Sequence, residues 1–226
     1  DTTTSSRPGR APVVKALAGP VGALSAKSRA PIAAMTSAAG SAADAALMSL
    51  PFETLRLHWG PLSIRHASRQ HSIRRREFDD FLLRRSGAEV VEHPVREIRE
   101  EGGEYVIDDR FQAKYLVGAG GTSCPVYRSL FREANPREST LQAATLEQEF
   151  EYDWQDPDCH LWFFSDGLPG YAWYVPKAGG QLNLGIGGMA GILGQGSRKL
   201  RDYWELFMHR LDKAGLVRDA DLQPKG

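Results

Sequence analysis

Two neighbouring segments, PGYAWYVP at residues 169–176 and QLNLGIGG at residues 181–188, carry the clearest structural pattern in the chain. Tyr171, Trp173 and Val175 occupy alternate positions, so a strand here directs all three side chains to one face of a sheet. Large aromatic side chains on one face are typical of a sheet core, and they also form the walls of pockets for flat rings or apolar chains. The pattern alone leaves both interpretations open.

Strand and helix patterns extend outward from this pair of segments. Ser197–Ala214 is amphipathic and predicts a helix that buries one face. The residues expected on that face are Leu200, Tyr203, Trp204, Phe207 and Leu211. Six strands are predicted in all. They are an antiparallel meander of Leu161–Phe164, Tyr171–Val175 and Gln181–Ile186, a strand at Leu141–Tyr152, and a strand–turn–strand pair that begins at Phe52–Trp59 and continues at Leu62–Ile64.

Residues 73–117 favour a helix followed by short strands. Residues 73–87 favour a helix that ends at Gly87, with basic residues in its last turn. Short strands are predicted at Ala88–Glu92, Val95–Arg99, Glu104–Ile107 and Phe111–Val117. The last of these ends in the apolar run Tyr115-Leu116-Val117, which is typical of a buried parallel strand.

Two glycine-rich segments follow predicted strands. The first contains Gly118, Ala119, Gly120 and Gly121, and it predicts either a tight turn or a loop whose backbone N–H groups approach a pyrophosphate. The second contains Gly185 and Gly187, and it favours a strand end that admits a ligand or another part of the backbone. The first segment has Ser123 at the third glycine position of a dinucleotide-binding fingerprint. The second matches a loose Gly-x-Gly-x-x-Ala ending at Ala190, but it follows a strand of a predicted antiparallel meander, where that binding geometry does not occur.

Composition and charge exclude several classes of protein. The 28 basic and 28 acidic residues cancel, and 42% of the 226 residues are hydrophobic, as in an ordinary globular protein. The balance argues against nucleic-acid binding, which normally requires a basic excess. The two cysteines and six histidines show no metal-ligand spacing, so no metal site is expected, and a cytoplasmic, reducing location is the default.

Residues 1 to 50 differ from the rest of the chain. They are rich in Ala, Ser, Gly and Pro, contain no aromatic residue, and have Asp1 and Asp44 as their only acids. We expect a low-complexity, flexible segment, with a transit peptide or unrelated joined sequence as alternatives, and a short helix at Ala33–Ala46 on propensity. The start at Asp1 rather than Met favours a trimmed chain or a fragment.

No acid–base residue can be assigned from the sequence. His160, Asp166 and Lys177 lie near the aromatic strand in sequence, but each is expected in a loop or in solvent. His58, His66 and His71 fall in the predicted hairpin, where placement on alternate faces is as plausible as convergence.

The order of these motifs resembles the geranylgeranyl reductase family, FAD-dependent oxidoreductases of the p-hydroxybenzoate hydroxylase-like flavoprotein group. Four elements carry the resemblance over residues 52–215, and the most specific is the last. They are Arg75-x-x-Phe78-Asp79 in the helix, Gly87-Ala88-Glu89-Val90, Leu116–Gly121, and Tyr171-x-Trp173-x-x-Pro176 with Gly185-x-Gly187 beyond it.

The resemblance implies an α+β fold in two parts, which together form an incomplete FAD/NAD(P)-binding fold. Residues 74–128 would belong to an α/β flavin domain, and residues 52–73 and 140–215 to an antiparallel-sheet substrate domain. In the family, the positions that match Arg75 and Val95 lie by the flavin and at its adenosine end, and the glycine loop Gly118–Gly121 approaches the cofactor. Gly120 stands where the larger group usually carries Asp.

The resemblance also implies a reaction and a substrate class. Tyr171, Trp173, Pro176, Gly185 and Gly187 would line a pocket for an isoprenoid or other apolar, lipid-like substrate. Reduced FAD would deliver a hydride to a C=C bond, with NAD(P)H or ferredoxin as electron donor. Peripheral membrane contact is an expectation that accompanies such a substrate.

Two other functions remain open at this stage. The same fold supports flavin-dependent monooxygenases and halogenases, and the glycine at position 120 favours a non-catalytic module that binds an apolar ligand. No N-terminal Gly-x-Gly-x-x-Gly element and no Gly-Asp motif after the last helix occur in the chain. We therefore expect a fragment of a flavoenzyme with weak or absent FAD binding.

Overall fold

The computed structural model describes residues 15–18, 49–218 and 222–224. These residues form two compact units. The large unit contains residues 49–78 together with the described residues from 137 onward, and the small unit contains residues 15–18 and 79–136. Most of residues 1–50, including the helix predicted at 33–46, lie outside the described residues. Lys15–Ala18 nevertheless forms a strand, β1, within the segment that we expected to be flexible.

The large unit is built on a six-stranded mixed sheet. Its strands lie in the order β3-β2-β9-β10-β11-β8, and every neighbouring pair is antiparallel except β2 and β9. Their bounds are β2 Ser49–Trp59, β3 Leu62–Ile73, β8 Ala143–Glu151, β9 Cys159–Phe163, β10 Gly170–Lys177 and β11 Gln181–Met189. The predicted hairpin and the predicted meander are both confirmed, although β2 and β3 are longer than the sequence pattern indicated.

One face of this sheet packs against a helix and forms the core of the large unit. This helix, Leu200–Lys213, buries Trp204, Phe207 and Leu211, as its amphipathic pattern predicted. The Phe207 ring meets Trp162 of β9 edge-on, with 5.4 Å between the ring centroids. The sheet contributes Ala172, Tyr174, Leu182, Leu184 and Ile186 to the same core. We call this side of the sheet the helix face.

The small unit contains short strands and one longer helix. The helix α1, Arg75–Ser86, begins in the large unit and continues into the small one. It is followed by β4 Glu89–Glu92, which pairs in parallel with β1. β5 Ile98–Glu101, β6 Glu104–Ile107 and β7 Phe111–Ala113 form an antiparallel sheet, over a core of Ile98, Ile107, Cys124 and Val126.

The large unit also contains the short helix α2, Ala190–Leu193, and the longer helix α3, Leu200–Lys213.

Two of the predicted strands in the small unit are wrong in extent. Phe111–Val117 was expected to be one buried strand, but β7 ends at Ala113, and Tyr115 and Val117 are 81% and 84% exposed. An apolar run forms a buried strand only where other strands flank it, and the described residues place no strand beside this one.

The second error concerns residues 95–99. The strand there begins only at Ile98, and Val95 lies in the preceding loop, where its side chain packs on the core of the small unit. Asp108, in a left-handed conformation at φ 49°, holds this loop by accepting hydrogen bonds from the backbone N–H groups of Arg96 and Glu97. These two N–H groups therefore bond to Asp108 and do not take part in strand pairing.

Among the described residues, no helix combines the length and the apolarity that crossing a lipid bilayer requires.

Candidate functional site

The face of the large sheet opposite α3 carries a row of aromatic side chains. Trp59, Phe163 and Tyr171 are register partners on β2, β9 and β10, and Trp173 lies two residues further along β10 on the same face. The distances between neighbouring ring centroids are 6.2 Å, 5.9 Å and 5.6 Å along the row. We call this side of the sheet the ring face.

The ring face keeps much of its apolar surface in contact with solvent. Tyr171 and Trp59 are exposed and Trp173 is half-buried, whereas Ala172 and Tyr174 between them are buried on the helix face. The two interpretations of the sequence pattern therefore apply to different residues of β10. Ala172 and Tyr174 belong to the core, whereas Tyr171 and Trp173 belong to an open aromatic surface. Two concavities of the unit lie elsewhere, beside Trp154 and beside Asp158.

Trp173 is fixed on the sheet by two neighbours on β11. Its indole N–H donates a 2.6 Å hydrogen bond to Oδ1 of Asn183. Its ring lies over Gly185, its register partner, where an added Cβ would stand only 1.9 Å from Cζ2 of the ring. Gly185 is therefore required for this ring position, since any side chain there would displace the indole.

The other predicted substrate residues separate into two groups. Gly187 lies beside the row, where an added Cβ would meet Thr145 at 3.1 Å. Pro176, however, is buried away from the ring face, and its carbonyl accepts a 2.5 Å hydrogen bond from the Ser72 hydroxyl. Strand alternation explains the difference, because position 176 has the opposite parity from positions 171 and 173. The structure thus brings together Tyr171, Trp173, Gly185 and Gly187, but not Pro176.

A charged cluster lies further along the same face. The Lys177 ammonium is buried and forms an ion pair with Glu149 of β8, which also lies 3.8 Å from the Arg74 guanidinium. The expectation that Lys177 lies in a loop or in solvent is wrong. Its charge is compensated by Glu149, so we interpret this cluster as structural.

A second polar cluster occupies the helix face at the junction of β2 and β9. His58 Nε2 lies 3.1 Å from His160 Nδ1, and His160 Nε2 lies 3.2 Å from a carboxylate oxygen of Asp156. Since a carboxylate accepts, the Nε2 proton of a neutral His160 donates to Asp156, and His160 Nδ1 accepts from His58. His160 is buried, so its predicted placement in a loop or in solvent is also wrong.

Burial and neighbouring charges keep both of these histidines neutral. Burial is the main cause that lowers the pKa of His58 to about 4, with His160, Arg56 and Arg210 adding to the shift. Burial also lowers the pKa of His160, against an opposing effect of Asp156. Both imidazoles stack on Trp162, so the pair is part of the packing between β2 and β9.

An ion pair beside the histidines connects β2 with the residue that precedes β9. Arg56 Nε donates a 2.6 Å hydrogen bond to Asp158, and the more exposed Arg65 lies 3.8 Å from the same carboxylate. The neighbouring Cys159 thiol is buried, and this burial raises its pKa to about 12. Such a thiol stays protonated and is unreactive at neutral pH.

The predicted cofactor loop lies in the small unit and is exposed. Gly118, Ala119, Gly120 and Gly121 all face solvent, and Gly121 adopts a left-handed φ of 64°. An added Cβ at Gly118 would lie 2.9 Å from the Val126 side chain, so the loop folds closely over the following segment. An exposed backbone in which three of the four residues have no side chain fits the approach of a phosphate group.

The remaining two predicted cofactor residues lie apart from this loop in the chain. Arg75 is exposed at the first position of α1, and Val95 is half-buried in the loop before β5. The roles assigned to both residues stay predictions. In the part of the chain that the structure describes, no three His, Cys, Asp or Glu side chains are grouped so as to hold a metal ion.

Sequence reasoning missed three parts of this arrangement: Asn183, the inclusion of Trp59 and Phe163 in the row, and the histidine pair. The contact of Asn183 with Trp173 could have been predicted from the positions of the two residues on either side of the β10–β11 turn. The other two depend on the pairing of β2 with β9, about a hundred residues apart, which no local pattern contains.

Known structures share this fold. Peptidyl tryptophan dihydroxylase QhpG aligns at 24% identity and a TM-score of 0.55, over 80% of this chain and 42% of that one. A geranylgeranyl bacteriochlorophyll reductase-like protein from Thermoplasma acidophilum aligns at 20% identity and 0.56, over 77% and 48%. The flavin-dependent brominase Bmp2 aligns at 15% and 0.58, over 86% and 52%.

The comparisons therefore show a shared fold, a mixed sheet with helices, that also occurs in proteins of the FAD-dependent flavoprotein fold. The chain spans about half the length of these structures, or less. No protein-family model and no curated protein sequence matches it.

Proposed function

We propose that the chain is the substrate-binding part, with a portion of the cofactor-binding part, of an FAD-dependent oxidoreductase that saturates C=C bonds of an isoprenoid or other apolar substrate. The observation that carries the proposal is the ring face. Four aromatic side chains from three strands form one continuous apolar row on a sheet whose opposite face already forms the core.

The shape of the row favours an elongated ligand. Successive ring centroids are 5.6 Å to 6.2 Å apart, so neighbouring rings are in contact and leave no polar gap between them. A branched hydrocarbon chain can lie along such a row and remove apolar surface from water at about 25 cal/mol per Å². A small polar substrate would leave most of the row wetted.

The small unit supports the cofactor part of the proposal. The exposed glycine loop, residues 118–121, would hold a phosphate of FAD with its backbone N–H groups, and Arg75 and Val95 would contribute at the flavin and adenosine ends. FAD, when bound and reduced by NAD(P)H or ferredoxin, supplies a hydride to the substrate. The residues of the ring face bind and orient the substrate and exclude water from it.

A second function from the same fold is a flavin-dependent monooxygenase or halogenase. The observation that favours it is the tilted pair of the exposed Tyr171 and the half-buried Trp173, which can stack on a flat aromatic substrate as well as on an isoprenoid. The fold is shared with a flavin-dependent brominase.

A third function is binding of an apolar ligand without catalysis. It predicts that the ligand binds and is not chemically converted.

One set of assays separates these functions. The full 226-residue chain is supplied with excess FAD, dithionite and geranylgeraniol under anaerobic conditions, and the product is analysed by mass spectrometry. The proposal predicts a product that has gained two hydrogens for each C=C bond reduced. Replacing Tyr171→Ala should slow product formation, whereas Phe131→Ala, another exposed aromatic residue, should leave the rate unchanged.

The alternatives have their own outcomes in parallel assays. Oxygen uptake with NAD(P)H and a phenol, or halide incorporation into the phenol, without alkene reduction would replace the proposal with the second function. Saturable binding of geranylgeraniol without any conversion, even at saturating FAD, would replace it with the third.

A further inference from the structure

The loop between β9 and β10 contains a phenylalanine in an unusual backbone conformation. Phe164, directly after the last residue of β9, has a φ of 52° and a ψ of 26°, which is the left-handed region. A bulky residue rarely adopts this region, because its Cβ comes too close to the backbone, whereas glycine adopts it at little cost. Position 164 therefore carries Phe although its backbone conformation favours Gly.

The Phe164 ring does not belong to the core of the large unit. It is 53% exposed, and the core on the helix face is formed by other residues. Neither the backbone conformation nor the burial of this side chain therefore favours Phe over Gly in the folded protein. A residue in a strained conformation that stability does not explain is a candidate for a role in binding.

The loop that begins at Phe164 is held in place by α3 and by the residue two positions before it. The Arg198 guanidinium donates a 2.7 Å hydrogen bond to the carbonyl of Asp166, and Arg210 of α3 forms a 2.8 Å ion pair with the Asp166 carboxylate. The Phe164 N–H donates a 2.9 Å hydrogen bond to the carbonyl of Gly170. These contacts determine the path of the loop and so fix the position at which the ring is presented.

The left-handed residue also changes the side of the sheet that the ring reaches. Strand alternation alone would place position 164 on the helix face, opposite to Phe163. The strand ends at Phe163, however, and the turn at Phe164 places the two ring centroids of Phe164 and Trp59 5.3 Å apart. Trp59 belongs to the ring face, where its centroid lies 6.2 Å from that of Phe163. Phe164 therefore continues the row beyond Trp59, at the end away from Trp173.

We propose that Phe164 is a specificity-determining residue of the ring face, and that its ring selects apolar chains long enough to extend from Trp173 past Trp59. The inference rests on the proposed function, because it needs an apolar chain bound along the row, but it requires neither FAD nor a reaction. A long chain gains contact with one more ring, and the apolar surface removed from water favours its binding. A short chain that lies on Tyr171 and Trp173 does not reach Phe164 and gains nothing from it.

The test compares the binding of geranylgeraniol with that of geraniol, which is half as long, to the full chain in the absence of FAD. Tryptophan fluorescence follows both titrations, since Trp59 and Trp173 belong to the row. Phe164→Ala should raise the Kd for geranylgeraniol by about tenfold, because the apolar contact with the ring is lost. The Kd for geraniol should rise by about twofold or less, because the shorter chain contacts mainly the other rings.

Further variants separate the effect of the ring from that of the backbone. Phe164→Gly should bind both alcohols as Phe164→Ala does, but it should unfold at a higher urea concentration than Phe164→Ala, since glycine adopts the left-handed region without a steric cost. Phe164→Leu keeps an apolar side chain and should restore most of the affinity for geranylgeraniol. Phe131→Ala removes a similarly exposed ring from the small unit and should bind both alcohols as the wild type does.

The contrary results distinguish this inference from the proposed function. An unchanged Kd for geranylgeraniol in Phe164→Ala, or an equal rise in Kd for both alcohols, would overturn the role of Phe164 and leave the proposed function intact. A lower urea midpoint for Phe164→Gly than for Phe164→Ala would also overturn it, because the conformation at position 164 would then carry no strain. If the wild type binds neither alcohol, the proposed function fails, and the role of Phe164 fails with it.

Discussion

Trp173 shows how much of the ring face depends on residues with little hydrophobic signal of their own. Its indole is held between a glycine and the side-chain oxygen of Asn183. A glycine and an asparagine contribute nothing to an apolar periodicity, yet together they determine where one of the two tryptophans of the row lies. The shape of the ring face at this end is therefore a property of β11 as much as of β10.

Replacing Asn183→Leu should release the Trp173 indole from its fixed orientation. The N–H loses its acceptor, at a cost of about 0.5–1.5 kcal/mol, and the ring becomes mobile. We expect a weaker near-ultraviolet circular dichroism signal and weaker binding of geranylgeraniol. Asn183→Asp keeps an acceptor oxygen and should restore both. A Leu variant with an unchanged near-ultraviolet spectrum would contradict this account of Trp173.

The histidine pair should make the large unit sensitive to acid. The pKa of His58 falls to about 4 in the folded protein from 6.5, so the unfolded chain binds the proton more readily. The stability that the neutral ring contributes is complete above pH 6.5 and is lost as the pH falls towards 4. Urea denaturation between pH 4 and pH 8, followed by tryptophan fluorescence, measures this dependence.

His58→Asn should make the stability curve less steep over this window, because one of the two histidines with a lowered pKa is gone. His66→Asn, on the exposed strand β3, should keep the slope of the wild type, since it removes an imidazole outside the β2–β9 junction. Equal slopes for His58→Asn and the wild type would show that burial of His58 does not govern the acid sensitivity.

At the scale of elements, α3 holds the large sheet together through one face. Leu211 is fully buried against the sheet, whereas Leu206 on the same helix is exposed. Leu211→Ala should lower the free energy of unfolding by about 2–5 kcal/mol, as expected for a buried leucine in a close-packed core. Leu206→Ala should change it by about 0.5 kcal/mol or less. Urea denaturation of both variants gives the comparison, and similar losses would contradict the assignment of the buried face.

The elements that the sequence predicted correctly are those whose pattern is local. α3 follows from its spacing of apolar residues, α1 from its terminal Gly87, and the meander from strand alternation between turns. The apolar run before Gly118 shows the limit of such patterns. A run of apolar residues shows that a segment could form a buried strand, but it does not show whether other strands lie beside it.

At the scale of the whole molecule, the decisive contact joins distant parts of the chain. The parallel pairing of β2 with β9 brings residues 55–59 against residues 159–163 and so creates the row, the histidine pair and the Arg56–Asp158 ion pair together. Parallel pairing has no turn signature, and its register is specified only by packing on both faces. The sequence therefore predicted the ring-bearing strand β10 but not the site to which it belongs.

The division of the chain into two units also bears on FAD binding. The glycine loop belongs to the small unit and the ring face to the large one. We predict weak FAD binding by the 226-residue chain, since the exposed loop supplies one phosphate contact region. Isothermal titration with FAD measures it, and a stoichiometric yellow complex that survives gel filtration would contradict this prediction.

The central claim, that the ring face binds an elongated apolar substrate, is tested most directly by photo-crosslinking. A geranylgeranyl ether with a diazirine group is irradiated with the full chain, and the labelled peptides are identified by mass spectrometry. The account predicts labels on peptides that contain Phe163, Tyr171 and Trp173, with loss of the label when unlabelled geranylgeraniol is added in excess. Labels confined to α3 or to residues 98–130, or labelling that the competitor does not reduce, would contradict it.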